Sequence, residues 1–536
     1  MLSAGQVRRG LAAGGASLAV IGVLVGLPTG ALLGLAPASP AAPLFDAYTL
    51  NLLRFTLLQA ALSTFLSVVL ALPVALALAR RSAFVGRIWI IRLMAVPMGL
   101  PVLIGALGLI GIFGRQGLVN RLLAMVGVDQ PVNIYGLSGI LLAHVFFNLP
   151  LACRLMLAGL ERLPAEDWRL AASLGLGRLS LLRHVELPAL ARVLPGAAGL
   201  IFMLCATSFT LVLVLGGGPA ATTLEVAIYQ SLRFDFDPAR AIALSLLQIA
   251  LTGLVLTLLS RLPPAEASRG EGRAPRRFDG QGPAGRLADA LVILLATLFL
   301  LLPLGSVVMA GLRADLLRLV ALPAFHQALF TSLAIALAAG LLALLLACGI
   351  LAAQAAIADR RHPSRLLAAF GRLLSAVSSL VLLVPPVVLG TGWFLLVRPH
   401  ADVTRAAPLL IAAINMLMAL PFVMRVLAPA FESHRLRTGR LAASLKITGL
   451  ARLRLIDAPV LTRPLLMALS FAMALSLGDL GAVALFGSQD LVTLPWLVYS
   501  RLGSYRTQDA DGLALLLGLL CLALTALGTA GHRREP

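Results

Sequence analysis

The sequence predicts an all-α polytopic membrane protein of about twelve transmembrane helices, arranged as two parallel six-helix repeats. Three observations predict it. The 536 residues are 60% hydrophobic and only 12% charged, with a mean hydropathy of +0.97; soluble domains carry about 25% charged residues. Apolar runs of spanning length recur along the whole chain. A polar, Arg-rich stretch also occurs twice: Leu170-Ala171-Ala172-Ser173-Leu174 returns as Leu441-Ala442-Ala443-Ser444-Leu445, at an offset of 271 residues (441 − 170 = 271). The same offset pairs Pro150 with Pro421 and Gly216 with Gly487.

In the first half the apolar runs lie near 11–35, 50–79, 88–113, 137–157, 195–215 and 239–260. The second half repeats them near 287–310, 327–358, 373–397, 406–427, 464–486 and 512–530. Each run must satisfy its own backbone hydrogen bonds in lipid, so each reads as a helix. Arg8 and Arg9 before the first run and Ala36-Pro37-Ala38 after it resemble a signal peptide. The run is too long for a signal core, however, and a retained first helix is expected.

The domains follow: a first repeat over 1–260, a linker over 261–286 rich in Gly, Pro and Arg, and a second repeat over 287–536. The linker composition buries little and predicts a flexible cytoplasmic connector. A net charge of +20 would point to nucleic acid in a soluble protein. Here the arginines fall in alternate short loops, among them Arg80-Arg81, Arg162 to Arg192, Arg360-Arg361 and Arg435 to Arg454. That pattern reports orientation and predicts that both termini are cytoplasmic. No aromatic-and-basic module accompanies the arginines, so a nucleic-acid partner is not expected. An even number of spans per half makes the repeats parallel. The four cysteines, Cys153, Cys205, Cys348 and Cys521, stand singly and read as small core residues; neither a metal site nor a cofactor is predicted.

The duplicated loops cover about 159–193 and 428–463. In the first, Pro164 suits a helix start, Glu166 and Asp167 favour its positive end, and Gly175 can adopt the left-handed conformation that stops it. A short helix lying along the membrane, presenting Leu170, Ala171 and Leu174 to a partner, is expected. In the second loop Lys446 stands where Gly175 stands in the first. Lysine caps less easily than glycine, so this helix is expected to run on toward Gly449, giving the two loops different ends. An ordinary Arg-rich inside loop is the alternative reading of either copy alone; the fixed offset and the placement between spans four and five disfavour it.

The first loop reads Arg169-Leu170-Ala171, then Gly175, then nine residues and Val185-Glu186-Leu187-Pro188. This resembles the cytoplasmic EAA loop of ATP-binding-cassette importer permeases of type I, although Arg169 and Leu170 replace Glu and the first Ala. The second copy is looser, with Arg440-Leu441-Ala442, Lys446 and Ile456-Asp457-Ala458-Pro459. The resemblance implies a docking contact for an ATPase at Leu170, Ala171, Leu174, Gly175, Val185, Leu187 and Pro188, and at Leu441, Ala442, Lys446, Ile456 and Pro459. A P-loop requires Gly-Lys followed by Ser or Thr. Lys446, the single lysine, precedes Ile447, so ATP hydrolysis is assigned to separate subunits and the chain is not read as an enzyme.

Further stretches narrow the resemblance: Val214-Leu215-Gly216-Gly217-Gly218-Pro219, Ala227-Ile228-Tyr229-Gln230, Leu477-Gly478-Asp479 and Gly503-Ser504-Tyr505-Arg506. These look like the thiamine transporter permeases, a family of fused two-repeat subunits, and the likeness covers nearly the whole chain. It implies one such permease with two copies of an ATPase subunit and a periplasmic binding protein delivering thiamine or its phosphates. Fused ferric-iron permeases share the architecture and remain an alternative. A twelve-helix proton-coupled secondary transporter is a more distant one, disfavoured by the loop spacing and the scarcity of membrane carboxylates.

The candidate pathway residues are His144, Asn148, Ser208, Asn415 and Asp479. His144 and Asn415 share the 271-residue offset, and Asn148 lies one turn beyond His144, so one face of span four is polar. The other reading is that such groups bond neighbouring helices. Asp479 lies about 22 Å along its helix from Pro464 at about 1.5 Å per residue, in the outer part of the bilayer. An ionised Asp at a helix centre costs roughly 2.5–3.5 kcal/mol on insertion scales. It is expected to face water or a partner, near the path of a cationic substrate, or to serve the start of a short re-entrant helix. By resemblance, the outer segments 216–237 and 487–511 lie near the substrate entrance.

Overall fold

Apolar sequence of this length closes its backbone hydrogen bonds within each segment, and helices result. The computed structural model describes residues 4–35, 46–128, 130–261, 282–360, 364–380, 384–444, 447, 451, 453–487 and 491–529, and no strand occurs among them. The main helices are α1 (Ala4–Gly34), α2 (Ala47–Arg80), α3 (Val102–Phe113), α4 (Leu137–Glu161), α5 (Ala165–Ser173), α6 (Leu194–Ala206), α7 (Leu224–Arg233) and α8 (Pro238–Ser260). The second half contributes α9 (Pro283–Arg313), α10 (Pro323–Ala358), α11 (Arg365–Leu380), α12 (Pro386–Val397), α13 (Val403–Ser444), α14 (Ala458–Leu477), α15 (Leu494–Gly503) and α16 (Thr507–Thr529).

Among the described residues, ten helices are long and apolar enough to cross a membrane, or eleven if a pair bent by 55° before and within α6 counts as one span. Of the twelve predicted runs, 195–215 and 373–397 are not among these ten. The run 195–215 is interrupted at residues 207–209, and the run 373–397 is divided between α11 and α12 around Pro385-Pro386. Proline lacks the N–H that a continuing helix needs, which suits Pro386 to the first position of α12. In the first half, Pro97 and Pro101 likewise divide the third run into Arg87–Leu93, Val96–Gly99 and α3.

The repeat shows as matched breaks. α6 ends at Ala206 and α14 at Leu477, and each is followed by a short helix, Thr210–Leu215 or Gly481–Phe486, all at the 271-residue offset. Thr56 on α2 accepts a hydrogen bond from the Leu224 N–H at 3.1 Å. Ser332 on α10 accepts one from the Leu494 N–H at 2.8 Å. In each half a buried hydroxyl of the second span thus satisfies a backbone donor where the outer helix begins.

The chain divides into two compact units. Unit A comprises Phe45–Val226 with Ala250–Ala310, and unit B comprises Met1–Leu44, Ala227–Ile249 and Gly311–Pro536. The sequence repeats 1–260 and 287–536 therefore divide the chain differently from the units: unit B includes the opening helix and residues 227–249 of the first repeat, and unit A the opening helix of the second.

In unit A, α2 packs along α4 and α6. α9 is held there by Asp289, which accepts hydrogen bonds from Arg80 and Arg81 at 2.7 and 3.0 Å. Higher up α9, the Ser306 hydroxyl donates to the Gly108 carbonyl at 2.8 Å, and Gly108 leaves no room for a Cβ against Pro303. Small residues of this kind allow backbones to approach closely in lipid. In unit B, α1 packs along α10 and α12, and the Trp393 indole donates to the Leu24 carbonyl at 3.2 Å.

Candidate functional site

The first loop builds its own small core. Trp168, Ala171 and Leu181 are buried together, with Leu163, Leu176 and Val185 against them. Trp168 and Ala171 are three residues apart and share the inner face of α5, whereas Leu170 and Leu174 fall on the other face and are 60% and 65% exposed. The expectation that Ala171 faces a partner is corrected: at 2% exposure it is part of the loop's core. Ala442, its counterpart, is 1% exposed.

Pro164 lies one residue before α5, and Glu166 and Asp167 occupy the first turn. Gly175 has φ +62°, the left-handed stop expected of it. The chain then closes with the Leu176 N–H donating to the Ala171 carbonyl at 3.0 Å, a six-to-one bond of the Schellman type.

The second loop closes in the same way. Ile447 is outside the helix, and its N–H donates to the Ala442 carbonyl at 3.0 Å. α13 is described as far as Ser444, the counterpart of Ser173, and the expected extension toward Gly449 falls on residues outside the described ones. Lys446 and Gly449 themselves lie outside the described residues, and Leu441 is the fourth residue from the helix end.

The loops differ at their entrances instead. In the first, Pro164 separates α4 from α5. In the second, α13 runs unbroken from the membrane span into the loop.

Both loops then make a π-helical turn, Leu182–Glu186 and Leu453–Asp457, again 271 residues apart. Val185 and Ile456 lie inside these turns. Leu187 is the turn's last donor, its N–H bonding the Leu182 carbonyl, and Pro188 next to it has no N–H to give. One widened turn accommodates this, and such turns frequently mark functional positions. Leu187, Pro188 and Pro459 are exposed. In the second loop His434 Nε2 meets Asp457 Oδ1 at 2.7 Å, while Arg435 donates to Glu432 at 2.6 Å.

In unit A, the Ser63 hydroxyl meets His144 Nδ1 at 2.8 Å. Gln59 Nε2 donates to the Cys205 carbonyl at 2.9 Å, and Asn148 Nδ2 to Cys205 Sγ at 3.4 Å. Ser208 stands at the break after α6.

The equivalent region of unit B is simpler. Asn415 Nδ2 donates to the Ser476 hydroxyl at 2.9 Å. Asp479 caps the short helix after the break, accepting from the Gly481 and Ala482 N–H groups at 3.1 and 3.2 Å. A cavity of about 10 Å³ lies among Ser332, Asn415, Ser476, Asp479 and Thr493, which suits one water molecule. Buried Asn415 Oδ1 and Thr493 Oγ1 have no hydrogen-bond partner among the described residues. Gln59, Ser63, Cys205 and Ser476 were not singled out from sequence; the offset that joins His144 to Asn415 also joins Cys205 to Ser476. At the outer segments, Arg233 donates to the Gly487 carbonyl.

Residues 68–264 match the family of binding-protein-dependent transport system inner membrane components. A thiamine transport system permease protein of Brucella abortus is 48% identical over 98% of this chain and 96% of its own length. That of Escherichia coli is 44% identical, covering 89% and 88%, and that of Haemophilus influenzae 37% identical, covering 90% and 88%. The chain belongs to the family of thiamine transport system permeases. It is an inner-membrane permease component.

Proposed function

We propose that this permease carries thiamine or its phosphates across the inner membrane of a bacterium, from a periplasmic binding protein, driven by two copies of a separate ATPase subunit. The loops 159–193 and 428–463 are the docking contacts, and repeats 1–260 and 287–536 act as two pseudo-equivalent halves with both termini cytoplasmic. The observation that carries this is the doubled loop, with its shared closing bond and π turn and the exposed Leu170-Leu174 face of the first copy. Near-full-length likeness to thiamine permeases supports this reading over the ferric-iron and proton-coupled alternatives. With Lys446 followed by Ile447, no P-loop can form, so the motor is external.

Mechanically, the apolar core of the first loop and the His434–Asp457 pair of the second make each handle stiff enough to move as one piece with a bound ATPase. ATP-driven closure of the two ATPases moves both handles, and the halves rock to expose the pathway alternately. The breaks after α6 and α14 interrupt the spans at matching positions, and His144, Asn148, Ser208, Asn415 and Asp479 border the proposed path there. Thiamine carries a fixed positive thiazolium, which an acid at Asp479 attracts.

Leu174→Glu tests the docking contact. Thiamine uptake should fall tenfold or more and the ATPase subunit should no longer copurify, with permease abundance in the membrane unchanged; normal uptake would refute the contact. Asp479→Asn keeps one of the two capping oxygens while removing the charge, so a several-fold loss of uptake at constant abundance supports a pathway role, and unchanged uptake removes it from the path.

A further inference from the structure

A cavity of about 510 Å³ lies in unit A between α2, α4 and α9. Its walls are apolar, including Leu70, Leu142, Val145, Ala296 and Phe299, with Ser138 the one polar side chain. A space of this size and polarity offers water none of the two to four partners that hold it in place. Leu70 and Leu295 on its rim remain 46% and 57% exposed, so it opens sideways, toward what surrounds the spans.

One end of the cavity is strongly cationic. Val292 in its wall is one turn beyond Asp289 on α9, about 4.5 Å at about 1.5 Å per residue. Asp289 is met by Arg80 at 2.7 Å, Arg81 at 3.0 Å and Arg178 at 3.6 Å. Three guanidiniums thus converge on one carboxylate, three positive charges against one negative among these four groups. The Arg178 side chain is half exposed. Guanidinium groups bind phosphate oxygens in pairs, and basic pockets between transmembrane helices select anionic headgroups.

We propose that this crevice binds one anionic phospholipid, its phosphate at Arg178 and Arg81 and one acyl chain in the cavity along α4 and α9. The charge excess excludes a site indifferent to headgroup, and the apolar walls exclude a site for a free phosphate. Because Arg178 belongs to the first loop, the lipid would join the loop to the membrane face of α9.

Native mass spectrometry of the full-length chain in detergent, titrated with phosphatidylglycerol or phosphatidylcholine, tests this. The wild type should retain one phosphatidylglycerol and at least fivefold less phosphatidylcholine. Arg178→Gln should lose at least fivefold of the retained phosphatidylglycerol, whereas Arg405→Gln, at an exposed arginine elsewhere, should lose none. Ala296→Phe, which fills the cavity, should lose it too. Equal retention of the two lipids, or equal behaviour of Arg178→Gln and Arg405→Gln, would overturn the proposal. So would full retention in folded Ala296→Phe, which would leave a headgroup contact without a chain site. If Ala296→Phe does not fold, Arg178→Gln against its control decides.

Discussion

The two loops share a backbone and differ in what supports it. The first rests on an apolar core around Trp168, Ala171 and Leu181; the second carries the pair His434–Asp457 at 2.7 Å and a helix continuous with its membrane span. Position 439, the counterpart of Trp168, is a glycine, so that position offers no side chain for a matching core. What both keep is the six-to-one closure at 3.0 Å and the π turn before the proline. Under the docking proposal, the features kept in both copies are those the ATPase subunit reads, and the supports are free to differ.

The largest effect should come from removing the apolar support. Replacing a core Trp by Ala costs about 3–5 kcal/mol in a full core, and this small cluster has few other members to take the strain. Trp168→Ala is expected to lose nearly all copurifying ATPase subunit and to open the loop to proteolysis between 162 and 193, while the second loop stays protected. Equal protection of both loops in that variant would break the comparison.

A smaller loss is expected from the polar support. His434 is 6% exposed and Asp457 22% on their side chains, so the pair is partly screened, and a hydrogen bond of this kind contributes roughly 0.5–1.5 kcal/mol. His434→Ala should lower ATPase copurification several-fold, less than Trp168→Ala, and combining the two should be additive, since no partner is shared. A coupling above about 1 kcal/mol would mean that the loops do not act as separate handles.

Much of this was legible in the sequence because it depends on local chemistry. The repeat, the loop helix and the left-handed Gly175 follow from residue types a few positions apart. The inward turn of Ala171 was hidden because a small residue serves equally as a contact face and as a core residue; Trp168, three positions earlier, was the available signal. The π turns were hidden because hydropathy does not distinguish i→i−5 from i→i−4 bonding, although the proline after each turn marks the place. Asp479 was legible as an exception within an apolar run, and its capping role was one of two readings the run allowed. The exchange of opening helices depends on contacts such as Arg80 with Asp289, 209 residues apart, where only the charge pair itself gave a hint.

Gly175 sharpens the comparison at the closures. Its φ of +62° is strained for an L-residue by about 1–2 kcal/mol, yet the second loop has lysine at the same offset. Gly175→Lys, which copies that residue into the first loop, should lower the loop's local stability by about 1–2 kcal/mol and leave copurification within twofold. Hydrogen exchange at the Leu176 amide, whose bond to Ala171 closes the helix, reads this directly. Exchange as slow as in the wild type would mean that the closure does not depend on glycine.

The smallest energetic effect should accompany the clearest change of shape, at the entrance. α4 stops at Glu161 and α5 starts at Ala165, because Pro164 withholds an N–H and disfavours helical geometry at Leu163 before it. The counterpart of Pro164 is Arg435, inside an unbroken α13. Pro164→Arg removes the only proline between the two helices, so α4 and α5 should join as their counterparts do. Spin labels at 158 and 170 would then stand about 18 Å apart along a single axis, at about 1.5 Å per residue over twelve residues. The stability change should be under about 1 kcal/mol, as expected for a surface substitution away from a core. If the label distance does not change, the break belongs to the packing of Leu163 against the Trp168 core rather than to Pro164, and the difference between the two entrances would originate in the apolar support itself.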